Sequence, residues 1–190
     1  MSVSPQFWWY VSRASGITSW VLLTASLVWG VLLFTRALRK IDTPWWLLDM
    51  HTWLSGLAVV TMGLHLIALV ADNYVHFSWA ELFLPGSSSW KTAPVALGVI
   101  AFWLLVAIQG SSLIRRHLNR RFWKWIHLTS YGSWWLVSLH AGLAGTDATN
   151  RAYQGVALLA TLAAVAASVL RVVKPRNTKS DEVSSAASPP

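Results

Sequence analysis

Five apolar runs, at about 14–35, 46–71, 93–114, 122–144 and 152–173, dominate the chain. Each reaches the length of roughly 20 residues that crosses a hydrocarbon core about 30 Å thick. Backbone groups facing lipid must be satisfied within their own segment, so all five are expected as helices. The predicted fold class is all-α and integral to a membrane: a bundle of five transmembrane helices within residues 1–173, with 174–190 as a disordered cytoplasmic tail. The opening "MSVSPQFWWYVSRASG" has no basic region before its apolar run, so the first span is expected to be retained and not cleaved as a signal peptide.

A net charge of +8 raises the question of nucleic acid, and the placement of the charge answers it. Arg36, Arg39 and Lys40 lie between the first two spans, and Arg115, Arg116, Arg120, Arg121 and Lys124 between the third and fourth. Arg171, Lys174, Arg176 and Lys179 close the fifth, whereas the two remaining loops hold only Lys91 and Arg151 against Asp72, Glu81 and Asp147. Such alternation is the topology signal of a multi-pass protein of the inner (plasma) membrane, with the N-terminus outside and the C-terminus cytoplasmic. The expected partner is lipid, with no nucleic acid. Many of the tryptophans fall near the proposed span ends, where amphipathic rings favour the interface.

The longest loop, 72–92, contains "SWAE", the Ser-x-x-Glu spacing of a capping box. It predicts a short interfacial helix that starts at Ser78, ends before Pro85-Gly86 and forms a lid on the outer face. The fifth span is built from small residues that permit close helix packing. No glycine-rich nucleotide loop is present, so the chain is not expected to bind a flavin or nicotinamide in a domain of its own. Without cysteine, any metal must be held by histidine, carboxylate or methionine.

Four of the six histidines fall inside spans: His51 and His65 in the second, His127 and His140 in the fourth. Ionisable groups within a bilayer are costly and mark function. Fourteen positions separate the first pair and thirteen the second, about 21 and 20 Å along a helix. Spans two and four run in the same direction, so His51 matches His127 in depth, and His65 matches His140. Each level then presents two imidazoles from facing helices, an arrangement that clamps a haem iron axially, and two levels predict two haems. Levels so far apart do not share one ion. Thirteen positions leave His140 about 140° from the face of His127 on an ideal helix, so the fourth span is expected to be bent or rewound near Ser130, Gly132 and Ser133.

The two histidine spacings, "RASG" at Arg13–Gly16, "SSLIRRHLNRRFWKWIH" leading into His127 and "HAGLAGTD" from His140 resemble the ferric reductase-like transmembrane domain. That superfamily includes the membrane parts of NADPH oxidases and ferric reductases, and the haem-binding subunit of the bacterial methionine sulfoxide reductase system. The resemblance covers roughly residues 8–172 and implies two haem b: His51 and His127 on the inner iron, His65 and His140 on the outer. Arg13 is the candidate partner of the outer haem propionates, with Arg36, Arg115 or Arg121 near the inner haem. Gly56, Gly63 and Gly132 are candidates for close approach of a macrocycle, and Trp53 and Trp103 for flanking or bridging the haems.

The chain ends in a short tail where the oxidases carry a flavin domain, so the expected donor is a separate flavoprotein reductase or the quinone pool. The expected function is electron transfer from that donor to ferric ion, oxygen or an extracytoplasmic redox partner. One alternative is a haem-bearing membrane anchor for an extracytoplasmic reductase. Another is a haem-free metal-binding or transport protein, with His76 at the entry site.

Overall fold

The computed structural model describes residues 6–35, 44–72 and 77–173. Among them the chain is all-helical: α1 (Phe7–Thr35), α2 (Pro44–Ala71), α3 (Trp79–Phe83), α4 (Thr92–Leu113), α5 (Arg120–Leu128), α6 (Ser130–Ala144) and α7 (Arg151–Val173). A 3₁₀ turn, Arg115–His117, joins α4 to α5. Four helices are long and apolar enough to cross a membrane: Phe7–Thr35, Trp45–Ala71, Thr92–Leu113 and Arg151–Val173. This marks a membrane protein. The first starts well before the expected position 14, so Trp8 and Trp9 lie inside the helix.

The fourth expected span is not one uniform helix. It divides at Thr129 into α5, which is amphipathic and basic, and α6, which is apolar. The Thr129 N–H reaches back only three residues, to the Ile126 carbonyl at 3.1 Å, and the Thr129 hydroxyl bonds the same carbonyl at 2.6 Å. A turn tightened to three residues adds about 20° per residue over an α-helix. That rotation carries His140 back toward the face of His127. The break lies one residue before the Ser130–Ser133 stretch where a bend was expected.

Small residues set the helix seams. α1 packs most extensively on α2, and its Ser12, Ser15, Ser19 and Ser26 are all buried, as are Ala58 and Ala68 of α2. Short side chains let the backbones approach, and each hydroxyl needs an acceptor in an apolar setting. Ser12 and Ser15 find it in their own helix, whereas Ser19 crosses the seam to the Ala58 carbonyl at 2.9 Å. α7 lays Ala160, Ala164 and Ala167 toward the bundle and keeps Leu158, Leu162 and Val169 outside, against α1 as its main partner. α4 packs on α6, where the Ser133 hydroxyl reaches the Ala101 carbonyl.

The contacts also fix direction. Gly16 lies by His65 and Gly30 by His51, so α1 and α2 are antiparallel. Trp20 bonds Ser138 and Trp134 bonds Thr24, so α1 and α6 are antiparallel too. Consequently α2 and α6 run parallel.

The short helix α3 begins as its sequence predicts. Ser78 is the N-cap, and a full capping box links it to Glu81. Glu81 also accepts the Ser89 N–H at 3.1 Å, which ties the helix to the following loop. Lys91 adopts a left-handed backbone, φ 44°, uncommon for a residue with a Cβ. Its ammonium donates to the Leu143 carbonyl at 3.0 Å and to that of Ala144, capping the end of α6.

Hydrogen bonds from Ser78 and Ser89 hold the Glu81 carboxyl below its ordinary pKa. Its contribution to the loop is thus complete above the usual carboxylate range and is lost as pH falls through that lowered value. Amide exchange at Ser78 and Ser89 is expected to accelerate in that window in the native protein, and to be fast at every pH in Glu81→Ala.

Candidate functional site

The four histidines of the spans lie on α2, α5 and α6, and three of them are held by the same device. His65 packs on Gly16, His51 on Gly30 and His140 on Gly98. In each case the Nδ1 atom meets the carbonyl of the residue four positions before that glycine: Ser12 at 2.7 Å, Ser26 at 3.0 Å and Pro94 at 2.8 Å. A Cβ at Gly98 would stand 2.7 Å from His140 Nδ1, and one at Gly16 would stand 3.0 Å from His65 Nδ1. Glycine is therefore what admits the ring to the helix backbone.

The tautomer follows from the partner. A carbonyl only accepts, so Nδ1 carries the proton and Nε2 keeps its lone pair. Orientation of this kind, with one ring nitrogen tied to a backbone carbonyl, is how proteins aim the other nitrogen at a metal.

His127 is the exception. Its Nδ1 is buried and has no hydrogen-bond partner among the described residues. It stacks on Trp123 with ring centroids 5.1 Å apart and faces His51 at 6.0 Å with planes inclined by 71°. A metal–imidazole bond of about 2 Å on each side, together with the two ring radii, spans roughly that distance. His65 and His140 line one cavity of about 250 Å³ at the other level. The parallel helices α2 and α6 do not form a seam of their own; α2 packs on α1, and α6 on α4 and α1. The cavity between them lies at the His65–His140 level.

Arg13 lines the same cavity as His65 and His140. Its Nε donates to Asp147 Oδ2 at 2.8 Å and its Nη2 to Oδ1, and its guanidinium lies 4.0 Å from the Trp9 ring centroid. Asp147, the last residue of "HAGLAGTD", was not anticipated as its partner. Its signal was that it is the lone carboxylate after a basic-poor span end, opposite the lone arginine of the first. At the other level, Arg171 lies over Phe34 and Tyr131 and within electrostatic reach of His127. Arg115 and Arg121 are exposed. His117 is exposed in the 3₁₀ turn, while Arg36 and His76 lie outside the described residues.

Two tryptophan candidates lie at the surface of the bundle, Trp53 at 70% and Trp103 at 49% exposure. Trp20 and Trp134 are buried, each 3% exposed. Trp20 donates to Ser138 at 3.0 Å and Trp134 to Thr24 at 2.9 Å. A Cβ on Gly56, Gly63 or Gly132 would meet nothing within 4 Å, so no protein contact requires glycine there. Among the described residues no three or more His, Asp or Glu side chains converge as a metal cage.

Two measurements check this geometry. In ¹⁵N spectra of histidine-labelled protein, His51, His65 and His140 should each report a protonated Nδ1 and an unprotonated Nε2. Gly98→Ala should displace His140 from the Pro94 carbonyl, at a cost of about 1–3 kcal/mol as overpacking, read as a lower unfolding midpoint and an altered His140 signal. Comparison with protein-family models, with curated proteins and with solved structures returns no match to this chain.

Proposed function

We propose that this chain is a multi-pass inner-membrane electron-transfer protein that holds two haem b. His51 and His127 hold the inner haem and His65 and His140 the outer, each through Nε2. α5 and α6 in series form the fourth of five crossings, with the N-terminus outside and the C-terminus cytoplasmic. The observation that supports the reading is the repeated glycine–carbonyl seat, which engages Nδ1 of three histidines and leaves their Nε2 lone pairs to a ligand, two of these rings lining one cavity. Two imidazoles per level are too few to cage a metal alone, and they suit one that brings an equatorial ligand set of its own.

Bound haem supplies one-electron chemistry. The chain's residues orient and insulate. The Ser12, Ser26 and Pro94 carbonyls fix three ring orientations, Arg13 offers positive charge beside the outer pair, and Arg171 offers it beside the inner. Trp20 and Trp134 are buried in the bundle, Trp20 on the wall of the outer cavity. Electrons enter from a separate cytoplasmic flavoprotein or from quinol, and leave at the outer face to ferric ion, oxygen or a partner oxidoreductase.

The test is a dithionite-reduced minus oxidised spectrum with haem-to-protein stoichiometry on protein produced with haem supplied. Two b-type haems per chain are expected, with one lost in His65→Ala and the other in His127→Ala. Protein with no visible absorbance would sink the proposal and favour metal binding or transport without haem.

A further inference from the structure

We propose that the basic end of the bundle carries a binding site for the phosphate of an anionic phospholipid, formed by Arg115, Arg116 and Arg120. The three arginines, with Leu118 and Trp123, line a cavity of about 300 Å³ between the 3₁₀ turn and the start of α5. The turn is built, not frayed: His117 and Leu118 N–H groups bond back to Ile114 and Arg115, and the Asn119 side chain accepts the Arg121 N–H at 2.8 Å. No carboxylate lines the cavity, and among the described residues the one ion pair, Arg13–Asp147, lies at the other end of the molecule. Three arginines around one cavity with no carboxylate among its lining repel one another. A phosphate relieves that repulsion and matches their forked donors.

The surroundings select a lipid over other anions. Leu113, Ile114, Phe122 and Trp125, which flank these arginines in sequence, are 75%, 51%, 57% and 71% exposed. Basic side chains interleaved with exposed aliphatic and aromatic ones on a short amphipathic helix are the signature of a segment lying in the headgroup region. An acidic protein surface or a free phosphate would engage the arginines alone, whereas a phospholipid also brings acyl chains to the apolar residues of the same segment. A phospholipid covers both with one molecule.

The experiment places the full chain in nanodiscs of phosphatidylcholine with increasing phosphatidylglycerol and counts retained lipids by native mass spectrometry. Wild type and Arg151→Gln should retain phosphatidylglycerol selectively. The triple variant R115Q/R116Q/R120Q should lose apparent affinity on the order of a hundredfold, from the charge near the membrane surface. R115K/R116K/R120K, which keeps the charge, should recover part of it. Wild-type retention should also fall with ionic strength, a readout that stands if the glutamine variant fails to fold. Equal retention by wild type and the triple variants, or no salt dependence, would overturn the proposal. So would inorganic phosphate binding as tightly in phosphatidylcholine alone, which would mark a free-anion site. Loss of polyglutamate binding with lipid retention intact would assign the surface to an acidic protein instead. None of these outcomes depends on haem.

Discussion

An imidazole inside an apolar bundle needs an acceptor for its N–H, and a neighbouring helix offers only carbonyls already engaged in its own ladder. Such a carbonyl retains a second lone pair, but side chains fence it off. Removing one Cβ opens the fence, and this is what Gly16, Gly30 and Gly98 do. The spacing of α1 from α2, and of α4 from α6, is set by the thickness of a ring seated against backbone.

Two antiparallel helix pairs result, α1 with α2 and α4 with α6, joined through indole–hydroxyl bonds between α1 and α6. These bonds occupy mid-bundle, where an unsatisfied indole N–H would cost most. The histidine-bearing α2 and α6 are thereby kept parallel and apart. The same framework that satisfies polar groups also leaves a cavity with His65 and His140 on its wall.

The apolar runs were legible because a span's length is a local property, and the Ser78–Glu81 cap because its partners are three residues apart. The device around the histidines was not legible. Which glycine faces which ring depends on a helix far away in sequence, so nothing local marked Gly16, Gly30 and Gly98. The exposure of Trp53 and Trp103 was hidden for a related reason, since depth can be counted along a chain but azimuth around a bundle cannot. Arg13 was placed at the correct end, yet its carboxylate partner belongs to a turn more than a hundred residues on. The thirteen-residue spacing did signal a helix that departs from regularity, and the interruption at Thr129 is where that signal is met.

The missing brace at His127 makes the two ends of the bundle mechanically unequal. His65 and His140 sit on continuous apolar helices, each bonded to a carbonyl of a neighbour. His127 rides on nine residues of amphipathic helix, behind a single tightened turn, with ring contacts to Trp123 and His51 and, among the described residues, no hydrogen bond on its Nδ1. Such a segment has few bonds to lose on opening. Local melting therefore begins at the basic end, and the opposite pair of rings stays aligned while it happens.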